Sequence, residues 1–193
     1  MNAIFQFPTY LLRRQAIALT GKFRFYDPAG RMVMFSEQKM FRLREDIRVY
    51  SDESKSQEVL SIKARQFMDF SAAYDVVDTA LNQKVGVLRR KGLRSLLRDE
   101  WEVLDASDNV IGQLFEDSVG LALLRRLLLG TWLPQNYDLT VGGTRVADLR
   151  QNFNPFRYEL NLDFSMDTAR QLDRRVGIAA GILLAAVEGK QSS

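Results

Sequence analysis

The residues of this 193-residue chain best suited to binding chemistry lie in one basic stretch, "KVGVLRRKGLRSLLRDEW". It carries Lys84, Arg89, Arg90, Lys91, Arg94 and Arg98 before its first acid, Asp99. Arginine offers a planar fork of donors that matches phosphate oxygens, so such a strip beside a turn at Gly92 is a candidate anion grip. Arg13-Arg14 and Arg125-Arg126 would extend it if the fold brings them near. A second reading stays open: charges on a solvated strand edge discourage edge-to-edge pairing and need bind nothing.

Other chemistry is largely excluded by composition. The chain has no cysteine and no histidine, which removes disulfides, thiolate nucleophiles, imidazole bases and nearly all zinc and non-haem iron sites. Acidic residues are plentiful, but no spacing pairs two of them as acid and base. "DASDNVIGQLFE" sets Asp105, Ser107, Asn109 and Glu116 at positions one, three, five and twelve of a calcium loop. It lacks the glycine that position six requires, so a hairpin turn explains it better. "VGGTR" has neither the spacing nor the following helix of a phosphate loop. The expectation is a non-catalytic protein with no cofactor and no metal. A net charge of +3 tilts the surface towards anionic partners. Nucleic acid is not expected, because no aromatic platform or recognition helix accompanies the basic residues.

The elements that must position the strip are mostly strands. Four similar units recur: "FRFYDPAGRMVMF" (23–35), "AYDVVDTALNQKVGVL" (73–88), "EWEVLDASDNVIGQLF" (100–115) and "NYDLTVGGTRVADLR" (136–150). Each has an aromatic near its start, then a turn of Asp, Gly or Asn, then a second strand entered through valine or isoleucine. Gly86 and Gly112 both follow a β-branched residue past the turn, which suggests a bend or a close approach by something packed inside. Further strands are read at 41–51, 58–68 and 156–164. About a dozen locally connected strands should form an antiparallel barrel or sandwich. A short helix is expected near 118–130, within the leucine-rich segment 118–134.

The segment "DRRVGIAAGILLAAVEG" decides between barrel and sandwich. From Val176 to Val187 nothing is charged or polar, yet twelve residues give only about 18 Å of helix, against the ~20 residues a bilayer requires. Thr168 and Gln171 have capping-box spacing, with Asp167 and Asp173 near the start and Gly189 with Lys190 at the end. A helix apolar on every side must be enclosed by protein, and its small residues keep it narrow. It fits inside a barrel made by the preceding strands. The N-terminal "MNAIFQFPTYLLRRQAIAL" lacks the basic start and unbroken apolar run of a secretory signal, so the expectation is mature sequence in a cytoplasmic protein.

The repeated "YDVVD…VGVL" and "WEVLD…VIGQL" hairpins, followed by a "DRRVGIAAGILLA" helix, resemble the tubby C-terminal-like superfamily, and within it the LURP-one-related branch. The resemblance covers roughly Tyr10 to Gly189. It implies one domain over 1–193, with its core at about 10–189. That domain would be mainly β: a closed antiparallel barrel of about twelve strands around a buried hydrophobic C-terminal helix. Tubby proteins bind phosphoinositide headgroups and phospholipid scramblases form a related branch, while LURP-one-related proteins have no generally established activity. The scramblase Pro-rich tail and acylated cysteines are missing here, and no tubby headgroup motif matches residue by residue. The functional expectation is binding of an anionic ligand, such as phosphoinositide or phospholipid headgroups, through the basic strip. The protein would then be cytoplasmic and peripheral at the membrane, not spanning it. The alternative is a protein-interaction or regulatory module that meets its partner through exposed strand edges or the 118–134 segment.

Overall fold

A computed structural model of the chain describes residues 2–15, 20–39, 46–65, 72–91, 100–117, 135–152 and 157–191. The expected helix near 118–130 lies outside these residues, as do parts of the strands expected at 41–51 and 58–68.

Alternation of apolar and polar residues drives twelve strands. They are β1 (Thr9–Gln15), β2 (Thr20–Tyr26), β3 (Met32–Lys39), β4 (Ile47–Tyr50), β5 (Glu58–Ala64) and β6 (Ala73–Asp78), followed by β7 (Gln83–Arg90), β8 (Glu100–Leu104), β9 (Val110–Glu116), β10 (Asn136–Val141), β11 (Thr144–Asn152) and β12 (Arg157–Asp163). Each pairs antiparallel with its neighbours in sequence, and β1 pairs β12 to close the barrel. The four repeated units are β2–β3, β6–β7, β8–β9 and β10–β11.

Their turns use the chemistry read from the sequence. Asp27 Oδ1 accepts from the amides of Ala29 and Arg31, both at 2.9 Å. Asp105 Oδ1 accepts from Ser107 and Asn109 amides at 2.8 and 2.9 Å, so the calcium-loop mimic is a hairpin turn. Gly142 and Gly143 have φ of +56° and +80°, the pair of positive values that a two-residue type I′ hairpin demands.

The C-terminal helix α1 (Arg174–Gln191) fills the barrel. Its side chains from Arg175 to Ala185 are all buried, and it packs chiefly against β12 and β7. Among the described residues, no helix is long and apolar enough to cross a membrane. Narrowness is required: a Cβ on Gly177 would stand 2.3 Å from the Phe164 ring, and one on Gly181 would stand 2.9 Å from Leu162 Cδ2. The helix begins six residues after Thr168, so the capping-box reading is corrected. Asp173 caps it instead, its carbonyl accepting from Val176 N at 2.9 Å and its Oδ1 from Arg175 N at 3.0 Å. Asp167 shapes the preceding turn through the amides of Gln171 and Leu172. Nor does Gly189 end the helix, which runs on to Gln191.

The two repeated glycines differ in what approaches them. Gly86 faces the helix, where a Cβ would meet Val176 Cγ2 at 2.7 Å. At Gly112 the close approach comes from the wall itself, since a Cβ there would stand 1.9 Å from the Thr140 carbonyl oxygen.

The candidate basic strip and its counter-charges

Strand β7 and the residue after it hold four of the six predicted strip residues; Arg94 and Arg98 lie outside the described residues. Strand parity, together with the bulge between Lys84 and Gly86, separates the four. Gly86, Leu88 and Arg90 face inward, and the Arg90 guanidinium lies over the Trp101 ring, 6.0 Å from its centroid. Lys84, Arg89 and Lys91 are on the outer wall, where each meets a carboxylate.

Arg89 and Glu102 are register partners on β7 and β8, joined by Nε at 2.7 Å and a second nitrogen at 2.6 Å. Lys91 Nζ donates to Glu100 Oε1 at 2.6 Å. Lys84 Nζ reaches both oxygens of Asp108 at 3.2 Å. Arg65 joins this last pair, holding Asp108 at 2.6 Å and Asp75 at 2.5 Å. Hydrogen bonds from Arg65 and then Lys84 outweigh desolvation and keep the Asp108 carboxyl below its ordinary range. Beneath these charges Val87 and Leu104, on the outer face, are fully buried with Ala73.

The strip is therefore a two-sign array in which a phosphate would compete with carboxylates already in place. Sequence reading missed Glu100, Glu102 and Asp108 as partners. It also read the charges as guarding a strand edge, whereas β7 is paired on both sides and the closed barrel has no edge. Among the described residues every strand has a paired strand on each side.

The proposed extensions fare unequally. Arg13 is on the outer wall, paired with Glu159 at 2.9 Å and set over the Tyr26 ring. Arg14 points inward, 7% exposed, donating to the Ala185 carbonyl of α1 at 2.8 Å and lying over Tyr158. Since β1 and β7 are six strands apart round the barrel, neither arginine adjoins the strip. Arg125-Arg126 lie outside the described residues. Among the described residues, no group of three or more His, Cys, Asp or Glu stands where it could hold a metal ion.

Comparison with curated proteins and with solved structures returns no match. A family model does match, over residues 32–185, from the first residue of β3 to the last buried turn of the central helix. It spans most of the chain, and its described strands and helix are those of a closed barrel around a buried helix, in keeping with the tubby C-terminal-like resemblance of the hairpins. The chain belongs to the LURP-one-related family.

Proposed function

We propose that this domain is a non-catalytic binding module of the cytoplasm that docks peripherally on anionic lipid headgroups. The docking face is the barrel end from which the odd-numbered strands lead into the even-numbered ones. One observation carries this reading: the distribution of charge along the chain. The segments outside the described residues that join β1 to β2, β3 to β4, β5 to β6, β7 to β8, β9 to β10 and β11 to β12 contain Arg42, Arg44, Arg94, Arg98, Arg125 and Arg126. Their acids are Glu45, Asp69 and Asp99 alone, so they hold the whole surplus of +3 and the remainder of the chain is neutral. In an up-and-down barrel the strand ends that these segments join all lie at one end.

The same segments are rich in Leu and Phe and include Trp132. Arginine together with large apolar and aromatic side chains is the composition that favours the interface of an anionic bilayer. Arg89 and Lys91 stand on the wall where β7 leads into the 92–99 segment, so the sequence-predicted strip adjoins this end. A lumen filled by α1 leaves the outside of the barrel as the place for binding, and the absence of histidine and cysteine favours a non-enzymatic role.

Co-sedimentation with vesicles tests the reading. Wild type should pellet with vesicles containing anionic phospholipid, but not with phosphatidylcholine alone, and binding should weaken steeply with salt. Arg94→Gln/Arg98→Gln/Arg125→Gln/Arg126→Gln should abolish binding, and Arg89→Gln/Lys91→Gln should reduce it. Equal pelleting by wild type and the quadruple variant, or none at low salt, would refute the proposal.

A further inference from the structure

Away from the strip, a groove of about 550 Å³ crosses the outer face of β2, β1, β12 and β11, where the barrel closes on itself. Its size is that of a pocket for a small ligand. Two rungs of register partners build it. Tyr26, Leu11, Asn161 and Arg150 form one, and Thr9, Asp163 and Asp148 the other. Tyr26, Leu11 and Pro28 make an apolar half, and the β11 and β12 side chains make a hydrogen-bonding half.

The cations of the groove are already paired, while its lining carries three carboxylates against two arginines. Arg13 is fixed by Glu159 and lies over Tyr26, and Arg150 is fixed by Asp117 at 2.8 Å and Asp138 at 3.3 Å. Asp148 is held by Arg145 and Arg150. Asp27 is occupied by its own turn and by Arg31. These pairs hold the side chains in place, so little ordering remains to be done when a ligand arrives.

Three polar atoms near one another on the two rungs are not committed. Asp163 accepts from Ser165 N and Oγ, at 2.8 and 2.6 Å, through Oδ1 alone. Asn161 donates through Nδ2 to Asn152 at 3.0 Å. Among the described residues Asp163 Oδ2, Asn161 Oδ1 and Thr9 Oγ1 make no hydrogen bond. A row of spare acceptors and one hydroxyl, opposite an apolar wall in a groove whose arginines are already paired, disfavours an anion and suits a ring that brings hydroxyl donors. One face of such a ring would carry C–H groups and its edge would carry adjacent hydroxyls that donate to the acceptors.

We propose that this groove binds a neutral polyhydroxylated ring of pyranoside size, its C–H face on Tyr26 and Leu11 and its hydroxyls on Asp163, Asn161 and Thr9. The site and the ligand's charge both differ from those of the headgroup reading, so either can fail alone.

The test uses the full chain and methyl α-glucopyranoside and methyl α-mannopyranoside as probes, with agmatine as a cationic control. Amide chemical shifts should change saturably with at least one pyranoside, confined to residues 9–13, 26–30, 148–150 and 161–163. Asp163→Asn retains Oδ1 for Ser165 and should weaken that binding at least fivefold, as should Tyr26→Ala, with thermal melts confirming that both fold and vesicle pelleting unchanged. No saturable response to either pyranoside, a response to agmatine alone, shifts elsewhere, or unaltered affinity in both variants would overturn the proposal.

Discussion

Arg175 and Asp78 form an ion pair inside the barrel: the guanidinium of the helix's second residue meets the carboxylate that ends β6 at 2.5 Å, with side chains 10% and 4% exposed. Asp173 takes the other side of the guanidinium through Nε at 2.9 Å and a second nitrogen at 2.6 Å. Asp78 also accepts from Leu81 N at 3.0 Å, so the pair ties the start of α1 to the β6–β7 turn. Removing Arg175 strands the buried Asp78 carboxylate, whereas removing Asp78 leaves the guanidinium with Asp173. Arg175→Ala should cost about 3–5 kcal/mol in urea unfolding and Asp78→Ala less, and Arg175→Met with Asp78→Leu should recover much of the larger loss. A double variant as unstable as the worse single one would show that the pair's geometry, rather than its burial, sets the cost.

Glycine positions supply a graded series. Gly86→Ala must shift Val176 and also meets the Leu104 carbonyl oxygen at 2.9 Å, which should cost about 1–3 kcal/mol. Gly112→Ala meets the Thr140 carbonyl oxygen at 1.9 Å with only backbone to move. It should cost more than Gly86→Ala and disturb the β9–β10 ladder. Denaturation midpoints give the order, and amide exchange at Thr140 and Val141 locates the damage.

The buried helix predicts a failure of folding rather than of membrane attachment. Ala180 is 1% exposed, so Ala180→Asp would place a carboxylate among apolar side chains and should leave the protein insoluble or unfolded. Deleting residues 176–193 should do the same. A deletion product with a sharp thermal transition would contradict the threaded barrel.

Tyr10 gives an alkaline signature. Desolvation pushes its hydroxyl from 10 up to about 12, against smaller opposing effects of the Phe7 amide and Arg174. The folded chain therefore keeps this proton more tightly than the unfolded one. The associated stability is complete below pH 10 and is lost as pH rises through 12, by roughly 2–3 kcal/mol at most. Tyr10→Phe also loses the bond to the Ile4 carbonyl at 2.7 Å, so it should be less stable at pH 8 yet lose less between pH 9 and 12. Parallel pH dependences would show that Tyr10 does not titrate in that window.

What could be read in advance follows from the range of each interaction. Hairpin turns are local, and Asp27, Asp105 and Gly142-Gly143 act within four residues of themselves. The helix was equally legible, since a segment apolar on every side has nowhere to go but inside. Parity was an unused signal: Arg14 shares the face of Tyr10 and Leu12, and Arg90 that of Leu88, so both could have been assigned inward. The counter-charges were harder. Glu100 and Glu102 pair with Lys91 and Arg89 only because β8 returns in a particular register, and a run of like charge in sequence says nothing of its neighbours across the ladder. The groove lay beyond sequence reading, because its rungs join residues near both ends of the chain.

That closure also governs when the protein can fold. β1 pairs with β12, Leu11 opposite Asn161, and Arg14 reaches the Ala185 carbonyl 171 residues further on. During synthesis the barrel must wait without its interior, since the element that fills it follows all twelve strands in the chain. Until then the inward faces of twelve strands have only one another to cover them. Such a chain depends on the helix after its strands for its first stable state, and its folding should be slow, as expected where contacts span so much of the sequence.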